Sequence, residues 1–229
     1  MGEPMGRKPS EREDTPEPRL RLLVSSVVYG YEELLESLYA LLDGFGYDVL
    51  MSHKGTVPID PSLSAMDNCL KAVDNCDLFL GIILPRYGSG KESPDGLSIT
   101  HREALRAIEM NKPRWFLVHE YVAVARQLLD PFRDKTKSGR FCLLPTIDYT
   151  ETPILSDLRV LDLYESALLN HVPDVADRKG NWVQTFGPDD DARLFAVAQF
   201  RRYRELADKY LPQLQDPSAI RAKVKGERP

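Results

Sequence analysis

Asp77-Leu78-Phe79-Leu80-Gly81-Ile82-Ile83-Leu84-Pro85, followed by Arg86-Tyr87-Gly88-Ser89-Gly90-Lys91-Glu92-Ser93-Pro94-Asp95-Gly96, is the stretch on which the fold turns. Its first half is almost continuously apolar, as a strand covered by helices on both faces must be. Pro85 ends the run, and the turn formers after it predict a surface loop beyond the carboxyl end of the strand. Open α/β sheets bind their ligands at that end. Thr100-His101-Arg102-Glu103 then opens a helix. The T-x-x-E spacing allows the threonine hydroxyl and the glutamate carboxylate to cap one amide each. Glu103 therefore has two readings that can hold together. It is a capping partner, or an ionised carboxylate kept charged by the helix dipole and facing the ligand crevice.

Working outward, Leu20 to Val24 predicts a first strand ending in Ser25-Ser26, and the segment from Gly30 to Gly46 a helix with Leu34, Leu35, Leu38, Leu41 and Leu42 on one stripe. Tyr47 to Met51 reads as a strand and Ser52 to Pro61 as an exposed loop. Ser62 or Ser64 caps a helix that runs to Asn75 with Met66, Leu70 and Val73 inward. Beyond the Thr100 helix, with Ala104, Leu105, Ala107 and Ile108 inward, Pro113 leads into a strand from Trp115 to His119, and a helix from Tyr121 to Leu129 follows. Strand and helix alternate with short links, which implies right-handed crossovers and a parallel sheet. The fold class is therefore α/β, a three-layer flavodoxin-like arrangement around a central, mainly parallel five-stranded sheet. Leu158 to Leu163 is the expected fifth strand and Arg178 to Pro188 a loop. Asp190 or Asp191 starts a last helix through Tyr210 whose inner face is Leu194, Val197, Ala198, Leu206 and Tyr210. One domain is expected over residues 20–212, with its core in 20–130 and a less regular part in 131–212. Residues 1–19 form a polar, Pro-rich tail too poor in apolar side chains to offset ordering entropy, and 213–229 a flexible polar tail.

Among 229 residues, 42% are hydrophobic and 28% charged, proportions that suit an enzyme and an adaptor equally. The net charge of -5, with acidic and basic residues mixed, argues against a nucleic-acid partner. No apolar run approaches the roughly 20 residues that span a bilayer, and no signal-peptide core opens the chain, so the expected compartment is the cytoplasm and no membrane partner is expected. Cys69 and Cys76 are seven residues apart on one helix, about 10 Å along its axis and too far for a disulfide. Together with Cys142 they read as packing residues. The four histidines show no metal-ligand spacing, so neither a metal nor a cofactor is expected.

Ser25-Ser26 at a strand end, the strand into Arg86-Tyr87-Gly88, the Ser98-Ile99-Thr100-x-x-Glu103 helix start and Lys112-Pro113 before an apolar strand together resemble a bacterial TIR-like family, domain of unknown function 4062. Trp182-Val183-Gln184-Thr185-Phe186 is a weaker echo. The resemblance covers Leu20 to Val118 well and the remainder loosely. It implies a fold shared with TIR domains that cleave NAD and with nucleoside deoxyribosyltransferases, which carry a glutamate where Glu103 stands. In such chemistry the N-glycosidic bond breaks with oxocarbenium character, so one carboxylate beside the ribose stabilises developing positive charge. Nicotinamide leaves as a neutral base, and a general acid is dispensable.

On that resemblance Glu103 is the catalytic residue and NAD or a related nucleotide the small-molecule partner, with a role in bacterial signalling or defence. Ser25, Ser26 and the backbone amides around Gly88 to Gly90 would contact phosphate or ribose, Tyr87 would stack on a base, Arg86 would pair a phosphate, and Ser98 and Thr100 would complete the substrate-binding set. Plainer roles stand beside these: helix capping for the serines, a loop anchor for Tyr87, a surface ion pair with Glu92 or Asp95 for Arg86, and a surface position for His101. The alternative function is a non-enzymatic module for self-association, for docking a signalling partner protein, or for sensing a nucleotide. Two superficial matches fail. Gly88-Ser89-Gly90-Lys91 lacks the leading glycine and the hydroxyl after lysine that a phosphate-binding loop needs. Cys69, mid-helix beside Leu70, reads as too far from the strand ends to serve as a thiol nucleophile with His101.

Overall fold

The computed structural model describes residues 19–215 apart from 89–95, 138–140, 153, 171, 173 and 179. The expected N-terminal tail, the amides of Ser89 and Gly90, the partners Glu92 and Asp95 proposed for Arg86, and most of the C-terminal tail lie outside the described residues.

Five strands, β1 (Arg21–Ser26), β2 (Asp48–Leu50), β3 (Leu78–Ile83), β4 (Arg114–His119) and β5 (Asn181–Phe186), form one sheet in the order β2-β1-β3-β4-β5. Every pairing is parallel. Helices α1 (Glu32–Gly44), α6 (Asp189–Phe200) and α7 (Tyr203–Gln215) cover one face. Helices α2 (Ala65–Asn75), α3 (Ile99–Glu109), α4 (Glu120–Leu129) and α5 (Arg159–Ala167) cover the other. The three-layer α/β reading therefore stands, with a wholly parallel sheet. β3 is buried along its whole length, which is why its sequence is apolar without alternation. Crossovers leave the carboxyl ends of β1 and β3 toward opposite faces, which makes the rim between them the topological switch point of the sheet.

The second half of the chain departs from the sequence expectations. Leu158 to Leu163 lies in a helix, where Val160, Leu161, Tyr164 and Ala167 recur at helical spacing against the core. Short apolar runs fit either element until their neighbours are counted. The fifth strand is instead Asn181–Phe186, the segment expected to be a loop. It is an edge strand paired with β4 alone, and Trp182 is 59% exposed, so the burial pattern of a central strand is missing. The expected single last helix is two. Phe200 and Tyr203 both pack on Tyr47, with ring centroids 5.9 and 4.9 Å away, and the chain turns between them to deliver both rings. The inner face of α6 is Ala192, Phe195, Ala196 and Phe200, while Leu194 points outward.

Candidate functional site

Ser25 is the fifth of six residues in β1, and in register it sits beside Gly81 of β3, which in turn sits beside Phe116 of β4. Alternation along a strand sends Ser25 to the same face as Leu23, under α2 and α3, and Ser26 to the opposite face. Only Ser25 therefore meets the glutamate: its hydroxyl donates a 2.5 Å hydrogen bond to Oε2 of Glu103. Ser26 donates to the carbonyl of Val27 at 2.9 Å and lies outside this group.

The start of α3 corrects the expected capping box. Ser98, not Thr100, is the N-cap, and its Oγ accepts from the His101 amide at 3.3 Å. Thr100 is the second helical residue, buried in the first turn. Glu103, at the fifth helical position, leaves the helix amides and turns to the sheet. Its residue is only 6% exposed, so the expected ionised carboxylate open to the crevice is instead enclosed. Burial pushes its carboxyl from 4.5 up to about 7, and hydrogen bonds from Ser25 and from the Cys69 thiol offset that only in part. A helix dipole contributes about 0.3–1 kcal/mol near the first turn, under one pH unit, so desolvation decides the protonation state.

A second network lies alongside. The Tyr87 hydroxyl accepts from the Ser98 amide at 3.3 Å and shares a 2.8 Å hydrogen bond with Nδ1 of His101. Both side chains are buried, at 3% exposure each, so His101 is not the surface residue its position suggested. The Tyr87 amide donates to Oγ of Ser156, and the Arg159 guanidinium stands 4.5 Å from the Tyr87 ring centroid. The ring is thus an anchor joining the loop after β3 to α3 and α5. Gly88 has φ +76, and a Cβ there would lie 3.3 Å from Val27, so the backbone at this turn requires glycine. Arg86 is half-exposed and its guanidinium lies 3.8 Å from Glu151, a loose pair that leaves it free to meet another anion.

Ser25, Tyr87, Gly88, Ser98 and Glu103 thus come together at the carboxyl ends of β1 and β3, with Arg86 at the rim. Two side chains join them that the sequence reading had placed elsewhere. His101 enters because it is three residues past the true cap. Cys69, half-buried on α2, enters through the hydrogen bond of its thiol to the Glu103 carboxyl; its i, i+3, i+4 spacing to the buried Ala72 and Val73 was present in the sequence. Two clefts lined by described residues lie away from Glu103, one between the outer faces of α2 and α3 and one beside β2. Among the described residues no group of three or more metal-binding side chains converges, and no helix is long and apolar enough to cross a membrane.

The architecture is that of a parallel α/β domain with a polar group set at its topological switch point. The chain belongs to the family described as Domain of unknown function (DUF4062), whose model matches residues 21–142, from the first residue of β1 to just beyond α4. Among solved structures it is similar to the Clostridium botulinum CMP N-glycosidase BcmB, at 15% identity and a TM-score of 0.37, with 76% of this chain and 98% of that chain covered. No curated protein matches the chain.

Proposed function

We propose that this domain binds a nucleotide at the rim above β1 and β3 and cleaves its N-glycosidic bond, NAD or a related nucleotide being the substrate, with Glu103 as the reacting carboxylate. The observation that carries the proposal is the Ser25–Glu103 hydrogen bond at the switch point, where parallel sheets of this order place their ligands. A buried carboxyl that titrates near neutrality is costly to keep and is characteristic of a reacting group. Deprotonated, it puts a poorly solvated negative charge beside the ribose, where it stabilises an oxocarbenium ion more strongly than a water-exposed carboxylate does. Arg86 supplies a cation for the phosphate, and the Gly88 turn lets backbone approach closely.

Titration calorimetry with NAD, NADP, ATP and cyclic nucleotides tests the binding half. At least one nucleotide is expected to bind with a dissociation constant below 1 mM, as the affinity scale requires of a useful metabolite site (about -4 kcal/mol). No heat from any of them at millimolar concentration would remove the nucleotide from the account.

A second reading has observations of its own. The enclosed Glu103 ties α3 to β1 whatever else it does, and Tyr121, Val124 and Leu128 of α4 form an outward apolar stripe continued by Phe132. On that reading the domain is an interaction or nucleotide-sensing module for signalling or defence, acting through self-association or a partner protein. Binding without turnover separates sensing from catalysis.

A further inference from the structure

We infer that Ser156 and Arg159 are positioning residues for the rim site, fixing Tyr87 and through it the stance of Arg86 and the Gly88 turn; this rests on the reading of that rim as a nucleotide site. Both stand at the start of α5, beyond residue 142, where the family match ends. Ser156 holds the exit of β3 twice: its amide donates to the Pro85 carbonyl at 3.0 Å, and its hydroxyl accepts from the Tyr87 amide at 3.0 Å. Arg86 lies between the two bonded residues, so the direction in which its side chain leaves the backbone is set by a residue some 70 positions away.

Arg159 takes the ring and the returning chain. Its Nη1 donates to the Gly96 carbonyl, and the guanidinium carbon stands 4.5 Å from the Tyr87 ring centroid. Asp157 accepts from Nη2 at 2.6 Å and from Nε at 3.0 Å, so the fork is oriented before it meets its targets. Tyr87 is in consequence held by its amide, by its ring and by its hydroxyl, the last bonded to the Ser98 amide and to His101. Ser98 caps the helix that carries Glu103, so the contacts run from Arg159 through one ring to that helix. The Arg159 side chain is 41% exposed, and an ion pair so open adds little to global stability. Loss of Arg159 therefore registers at Tyr87 and Ser98 more than in the fold as a whole.

Residue-resolved amide exchange by NMR on the full chain without ligand is the test. In Ser156→Ala the Tyr87 amide is expected to exchange about 3- to 10-fold faster, the size of one modest hydrogen bond, and in Ser156→Thr, which keeps the hydroxyl, to return toward the wild-type rate. In Arg159→Gln the Ser98 amide, bonded to the Tyr87 hydroxyl, is expected to speed up several-fold while the thermal midpoint falls by no more than about 4 °C. An unchanged Ser98 rate in that variant overturns the inference, and so does faster exchange spread evenly over the chain with a larger drop in midpoint, which marks a merely structural residue. Titration calorimetry then uses the tightest binder among NAD, NADP, ATP and cyclic nucleotides. Its dissociation constant is expected to rise about 10-fold in Arg159→Gln, and an equal constant overturns the positioning role. A wild type that binds none of them overturns the nucleotide reading alone, because the exchange rates are measured without ligand.

Discussion

Between pH 4.5 and pH 8 the folded protein is expected to lose about 3 kcal/mol of stability relative to its Glu103→Gln variant, most of it below pH 7. The unfolded chain releases the Glu103 proton near 4.5, whereas burial holds that proton in the folded protein up to about 7. Between those two values the native state binds more protons, so raising the pH favours unfolding. Above the folded value both states are ionised and the penalty is constant. Glutamine does not titrate and so lacks this slope. Its oxygen still accepts from Ser25, and any fixed cost of an unsatisfied amide hydrogen displaces the whole curve without tilting it. Urea unfolding of the two proteins at a series of pH values measures the difference. Parallel stability curves would mean that the carboxyl is ionised throughout, and that the enclosure described here does not control it.

The second large effect is steric and concerns the floor of the same site. Gly81 lies between Ser25 and Phe116 in register, and a Cβ at that position would stand 2.7 Å from two ring carbons of Phe116 and 3.1 Å from the Phe79 ring. Both rings are fully buried and meet edge to face at 6.0 Å, so neither can swing into solvent to make room. Gly81→Ala should cost about 2–3 kcal/mol, at the upper end of ordinary overpacking, although alanine suits a strand better than glycine does. Because β1 pairs directly with this residue, the displaced rings press on the strand that carries Ser25. Thermal unfolding followed by circular dichroism provides the check, and a variant as stable as wild type would show that the rings have slack.

The first half of the fold was legible for a physical reason. Between β1 and α4 the strands β1, β3 and β4 are interior to the sheet and carry continuous apolar runs, and proline, glycine and serine punctuate the segment; Ser64 accepts from the Asp67 amide as the cap of α2. The second half gives weaker signals. β5 is an edge strand whose exposed Trp182 and Thr185 break the look of a buried run, and α5 packs through a short apolar segment that serves a strand equally well. On α6 the inward face is Ala192, Phe195, Ala196 and Phe200, an i, i+3, i+4, i+8 set in which two alanines weaken the apolar stripe, and Leu194 is left at 68% exposure.

The site was legible in its residue types more than in its electrostatics. Ser25 and Glu103 are 78 residues apart, and their contact is visible only once the register and the strand parity are known. The capping-box pattern at Thr100 drew the helix start two residues too late. With the cap at Ser98, Glu103 is the fifth helical residue and no longer a capping partner; it faces the sheet, and its expected charge becomes a proton held to about 7. A mid-helix place beside Leu70 made Cys69 read as remote from the strand ends, although Ala72 and Val73, three and four residues further along the same helix, are buried.

The central claim is that Glu103 acts on the sugar of a bound nucleotide. The direct measurement is release of free base from NAD and related nucleotides by the purified full chain, followed by chromatography across pH 6 to 9, for wild type and for Glu103→Gln. Wild type is expected to release base at a rate that rises with pH through about 7 and then levels, as the reacting form is the carboxylate. The glutamine variant, folded and still binding nucleotide, is expected to be slower by roughly 100-fold or more. Turnover by Glu103→Gln at the wild-type rate would contradict the account.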